Sequence, residues 1–170
     1  SAEALLAAGP FDLVMIGSPN HLHLAPLTLE RAKGFPIFIE KPIVRTESES
    51  FELARTLDNT SPVYIGLVMR SMPIVRETMK RVREGQVGRV VSIDATERLH
   101  PEHGGYLARN WRRKQKWGGS YFLDKVCHDF DIFNVLAGAR AQSVASFGGR
   151  SIFQETNTAR PVAYDYQEAG

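Results

Sequence analysis

One cysteine, Cys127, in 170 residues excludes an internal disulfide framework and fits a reducing compartment. No apolar run approaches the ~18–20 residues that a membrane-spanning helix needs. Neither charge dominates: Lys and Arg total 21 against 19 Asp and Glu, a formal +2. So small an excess does not mark a nucleic-acid or anionic-membrane partner. Internal repeats and low-complexity tracts are missing, and Ser1 to Ala8 reads as free of the basic segment and apolar core of a signal peptide. The turn Gly-x-Gly-x-x-Gly is missing as well, because Gly85 to Gly88 and the Gly104-Gly105, Gly118-Gly119 and Gly148-Gly149 pairs have other spacings. With 43% hydrophobic and 24% charged residues, the composition is that of an ordinary globular protein. A cytoplasmic location is the expectation.

The first half alternates short apolar runs with helical patterns. Leu13 to Ile16, Ile37 to Ile39 and Val63 to Ile65 read as strands buried on both faces of a parallel sheet. Between them, a helix is predicted from Leu22 to Lys33, closed by Gly34. A second opens at Thr46 with Glu49 in capping-box spacing. A third runs from Pro73 to Glu84 and stops at Gly85. Three strand–helix units imply right-handed crossovers and a mostly parallel sheet.

From Arg89 to Leu99 the pattern changes to strict alternation, with Val91, Ile93, Ala95 and Leu99 on one face, as in a strand with one wet face. A loop rich in His, Gly and Arg is expected next, then a helix from Asp124 to Leu136 and a strand near Val144 to Phe147. The tail after Phe153 reads as loop. The fold class is therefore α/β, part of a Rossmann-like parallel sheet followed by an incomplete α+β domain with a largely antiparallel sheet. The division falls at 1–70 and 71–170.

Two motifs carry chemistry. Glu40-Lys41-Pro42 ends a buried parallel strand, where open α/β sheets bind ligands. Lys41 is either a solvated strand-end lysine or, partly buried, a proton acceptor or a donor to a substrate hydroxyl. Asp124, His128 and Asp131 share one face of their helix, while Val126, Phe130, Phe133 and Ala137 form the expected core stripe. That polar face is either a capped helix start with a surface histidine or an imidazole oriented by a carboxylate for base chemistry. The pairs His21/His23 and His100/His103, taken with Cys127 and His128, have no recognised zinc spacing, and no metal is expected. The basic stretch Trp111 to Trp117 reads as a solvated loop, as a contact for cofactor phosphates, or as a weak single-stranded nucleic-acid signal.

These motifs together resemble the glucose–fructose oxidoreductase / inositol dehydrogenase (Gfo/Idh/MocA) family. Ser18-Pro19-Asn20 with His23 resembles the loop after its fourth Rossmann strand. Gly34 followed by Ile37 to Pro42 is similar to its EKP signature. Gly66 to Arg70, with the helix ending Glu84-Gly85-Gln86-Val87-Gly88, resembles the entry to its second domain. Trp111-Arg112, Gly118-Gly119, Asp124, His128 and Asp131 fit its later pattern.

The resemblance implies an enzyme using NAD or NADP on a sugar, inositol or related polyol. It implies that Lys41 and His128 handle the hydroxyl proton and that Asp124 orients the substrate or the imidazole. Ser18, Pro19, Asn20, His23, Glu40, Lys41, Trp111 and Arg112 would line the cofactor, and Arg70, Asp124 and His128 the substrate. An NAD-dependent glycosidase of the same family and a non-catalytic binding module derived from it are the alternatives. The chain is expected to be an internal fragment or a reduced paralogue, without the pyrophosphate-binding turn. Exposed edges would then favour a homo-oligomer. Lys125 and Cys127 are not the family's commonest residues at their positions.

Overall fold

The structure, a computed structural model, describes residues 1–31, 34–56, 61–109 and 111–149. Strands β1 (Val14–Ile16), β2 (Ile37–Ile39) and β3 (Val63–Ile65) pair in parallel in that order, with Val14 opposite Ile37 and Ile37 opposite Val63. Helix α1 (Ala2–Ala7) precedes the sheet, and α2 (Leu24–Arg31) and α3 (Glu47–Thr56) form the crossovers. Thr46 caps α3 as the capping box predicts, its Oγ1 accepting from the Glu49 N–H at 3.2 Å. The Glu49 carboxylate turns back onto the Arg45 N–H at 2.7 Å.

One face of the sheet holds the core. Ile16, Ile37 and Ile39 pack against Leu27 of α2 and Leu53 of α3, joined by Leu24, Ile43, Val44 and Val63. The other face departs from the predicted two-sided burial, since Met15 is 69% and Tyr64 57% exposed. Two right-handed crossovers running the same way put both helices on one side. Among the described residues nothing comparable covers the other.

In the second half, helix α4 (Pro73–Arg83) starts on a proline at its first turn and is followed by Gly85 at φ 73°. Arg89 to Leu99 and the stretch near Val144 to Phe147, expected as strands of a largely antiparallel sheet, join no ladder among the described residues. Alternation alone does not make a ladder; a strand needs a partner edge. The segment expected as a loop instead forms α5 (Pro101–Arg109), a 3-10 turn at Trp111–Arg113 and the short α6 (Gln115–Gly118). Pro101 at the first helical position and Glu102 in the first turn are the signals for α5. Helix α7 (Tyr121–Ala137) begins earlier than predicted because the Ser120 hydroxyl accepts from the Leu123 N–H at 2.9 Å, and it ends at Gly138 in the left-handed region. The tail after Phe153 lies outside the described residues.

Candidate functional site

The site lies where the carboxyl ends of β1 and β2 meet the start of α7. After β1 the chain makes a 3-10 turn at Asn20–Leu22; after β2 it makes the Glu40-Lys41-Pro42 turn, with a cis Lys41–Pro42 bond. Two glycines make close contacts just before α7. A Cβ on Gly118 would stand 2.8 Å from the backbone oxygen of Arg112 in the preceding 3-10 turn, and one on Gly119, at φ 91°, 3.3 Å from that of Arg45. Arg45, bonded through its guanidinium to Glu49 and to the Lys116 carbonyl oxygen, ties the start of α3 to α6.

This approach joins residues 83 positions apart: Lys41 Nζ donates to the Asp124 carbonyl oxygen at 2.5 Å and stands 3.7 Å from its carboxylate. The carboxylate also accepts from Asn20 Nδ2 at 3.3 Å, and the same amide donates to the Gly118 carbonyl oxygen at 3.0 Å. Asn20, Asp124 and His128 are all buried. His128 lies one turn beyond Asp124 with its Nδ1 unpartnered among the described residues. Burial pushes its pKa below the ordinary 6.5, helped by Lys41 and Lys125 and opposed by Asp129 and Asp131. The fully buried residues of α7 thus lie on its polar face, while of the expected core stripe Val126 and Phe133 are half-buried and Phe130 and Ala137 exposed. Cys127 Sγ lies 3.7 Å from the Asp124 carbonyl oxygen, and burial pushes its thiol up.

The other expected site residues divide. Ser18 Oγ donates to the Leu22 carbonyl oxygen at 3.2 Å, and Pro19 precedes the 3-10 turn. The Glu40 carboxylate packs so closely on Gly66 that an added Cβ would lie 2.9 Å from its Oε2. Trp111 is buried edge-on to His21, and the Arg112 guanidinium lies 4.2 Å over the Trp111 ring and 4.6 Å over Tyr106. Arg70 is committed to Asp131 of α7 through a two-pronged pair. His23 is fully buried, its ring nitrogens 2.9 Å from the Pro42 and 2.7 Å from the Ser18 carbonyl oxygens. Beside the site, a cavity of about 430 Å³ is lined by Glu97, Tyr121, Lys125 and Asp129 among others. Lys125 pairs with Glu97 at 2.7 Å, and burial and Glu97 push the Asp129 carboxyl up. Sequence spacing along α7 could place Lys125 and Asp129 together, but Glu97, out of place on the apolar side of the expected strand, gave no sign of meeting them.

The sequence profile of the GFO/IDH/MocA C-terminal domain matches residues 75–166. The chain belongs to this family. It is 29% identical over 150 residues to an inositol 2-dehydrogenase of Corynebacterium glutamicum, a match covering 84% of this chain and 40% of that protein. It is 24% identical over 153 residues to a 2,7-anhydro-N-acetylneuraminate hydratase of Mediterraneibacter gnavus, covering 89% of this chain and 40% of that protein. In fold it is similar to the WlbA dehydrogenase of Bordetella pertussis, solved with NADH and UDP-GlcNAcA, at a TM-score of 0.63 and 22% identity over 80% of this chain and 40% of that one. The chain thus spans about 40% of these GFO/IDH/MocA relatives. No helix among the described residues is long and apolar enough to cross a membrane.

Proposed function

We propose that the chain forms the proton-handling part of an NAD(P)-dependent oxidoreductase that moves hydride between a carbon of a sugar, inositol or related polyol and a nicotinamide. The observation that carries this reading is the bond from Lys41 Nζ to Asp124 with buried His128 one turn away. In oxidation, the Lys41 ammonium holds the substrate hydroxyl oxygen and lowers its proton affinity. His128, kept neutral by burial, accepts the hydroxyl proton, and Asp124 orients both partners. Ser18, Pro19, Asn20, Glu40, Trp111 and Arg112 fringe the carboxyl ends of β1 and β2. Their hydroxyl, amide, carboxylate, indole and guanidinium groups fit the nicotinamide–ribose end of a dinucleotide. When bound, the nicotinamide supplies the hydride acceptor. Residues 1–70 then serve the cofactor and 71–170 the substrate, Arg70 ordering the boundary through Asp131. Exposed Met15 and Tyr64 favour self-association.

The test follows reduced cofactor by absorbance in the intact enzyme supplied with inositols and sugars, comparing wild type with Lys41→Ala. Acid–base catalysis of this kind contributes about 10²–10⁴-fold, and a loss of that size is expected. Turnover within a few-fold of wild type removes Lys41 from the mechanism. The hydratase relative favours a second reading, in which the cofactor is used only transiently. Product formed without accumulation of reduced cofactor would select it.

A further inference from the structure

The 3-10 turn after β1 has three residues per turn, so Asn20 and His23, three apart, fall on one side of it. The closing bond from the His23 N–H to the Asn20 carbonyl oxygen, 3.3 Å, keeps them there. Both side chains point inward and are buried at 4% and 0% exposure, while Leu22 between them is half exposed. They reach in different directions. Asn20 spans about a hundred residues of sequence to the Gly118 carbonyl oxygen and the Asp124 carboxylate. His23 Nε2 lies 2.7 Å from the Ser18 carbonyl oxygen and Nδ1 2.9 Å from that of Pro42, one residue after Lys41, and a neutral ring donates to one of the two. The two partners of the Lys41–Asp124 contact thus hang from one turn, Asp124 through Asn20 and Lys41 through His23.

We propose that Asn20 and His23 are positioning residues: the single turn they occupy sets the distance between the Lys41 ammonium and Asp124. The proposal rests on the reading of Lys41 and Asp124 as the reacting pair, but its geometry can be tested without cofactor or substrate. A core-filling role for His23 would need only its volume. A positioning role needs the particular nitrogen that meets Pro42, because that bond holds the lysine turn. An asparagine amide nitrogen occupies the place of imidazole Nδ1, and a glutamine amide nitrogen that of Nε2. His23→Asn therefore keeps the Pro42 bond, and His23→Gln keeps the Ser18 bond.

The experiment acylates the 170-residue chain with an N-hydroxysuccinimide ester and reads each lysine by peptide mass spectrometry. Lys80, paired only at the surface of α4, serves as the internal reference, and circular dichroism matches the variants for folded fraction. Asn20→Ser is neutral, adds no charge beside Lys41 and is too short to reach both partners. Asn20→Ser and His23→Gln are expected to raise Lys41 labelling relative to Lys80 by about fivefold, the equilibrium worth of one hydrogen bond. His23→Asn should stay within about twofold of wild type by the same reasoning. If Asn20→Ser does not fold, Asn20→Ala carries the same expectation. Unchanged Lys41 labelling in folded Asn20→Ser and His23→Gln would overturn the proposal. So would equal labelling in His23→Asn and His23→Gln.

Discussion

Replacing Gly118 with alanine probes whether α6 packs on the Trp111–Arg113 turn as closely as the structure shows. The added methyl would stand 2.8 Å from the Arg112 oxygen, 3.2 Å from its Cα and 3.4 Å from its carbonyl carbon. All three are backbone atoms, so no side chain can swing away. Restoring ordinary contact takes a shift of about 0.6 Å, the gap between 2.8 Å and the 3.4 Å lower limit of ordinary contact. That shift either displaces buried Trp111 or pulls the Gly118 carbonyl oxygen away from Asn20, whose amide it meets at 3.0 Å. Overpacking of this kind costs about 1–3 kcal/mol, and the strained hydrogen bond adds about 1 kcal/mol. Against this, replacing a glycine at a helix end lowers the entropy lost on folding, which is worth about 0.5–1 kcal/mol. The net loss is about 1–3 kcal/mol, and at ~2–4 °C per kcal/mol for a chain of this size the melting temperature should fall by about 2–12 °C. Thermal unfolding followed by circular dichroism reads this directly. Gly104→Ala is the control: it sits inside α5 with nothing within 4 Å of the added Cβ and should hold or raise the midpoint. A Gly118→Ala protein melting at or above wild type, with the Asn20 side-chain amide resonances unmoved, would refute the close approach.

Three further outcomes are expected. Leu27 is fully buried between α2 and the sheet, so Leu27→Ala should cost about 2–5 kcal/mol in urea unfolding; a loss below about 1 kcal/mol would contradict the core assignment. The Arg70–Asp131 pair is two-pronged, but its arginine side chain is 48% exposed, so a double-mutant cycle should give only about 0.2–1 kcal/mol, shrinking as salt is added. Because the folded pKa of His128 lies below the unfolded value of 6.5, the unfolded state binds more protons in the window between the two. Its contribution to stability is therefore full above pH 6.5 and lost as pH falls through the folded pKa. His128→Phe should flatten that slope in urea titrations across the window, and an unchanged slope would assign it to other groups.

The parallel sheet was legible because its strands are short apolar runs closed by turn residues, a pattern that local sequence carries. The Lys41 turn and the Asp124–His128 spacing were legible for the same reason, one at a strand end and the other as a helical repeat. The burial of the polar face of α7 was not. Its apolar stripe looked like the core side, but Asp124 meets Lys41 and Asn20 from across the fold, and no local pattern encodes that meeting. The surroundings of His23 were not legible either: its ring is fully buried between the Ser18 and Pro42 carbonyl oxygens, which belong to two separate turns. The alternation from Arg89 to Leu99 did not become a sheet face: Val91 and Ala95 are exposed, and a ladder also requires a neighbouring edge.

The most direct test of the proton-handling centre is a pH titration of the His128 imidazole by nuclear magnetic resonance, in wild type and in Lys41→Met. Burial, Lys41 and Lys125 all act against the imidazolium, so the wild-type midpoint should lie below 6.5. Removing the Lys41 ammonium should move it upward, because one of the positive charges opposing protonation is gone. A midpoint at or above 6.5 that is indifferent to Lys41 would mean that the two groups do not share a site.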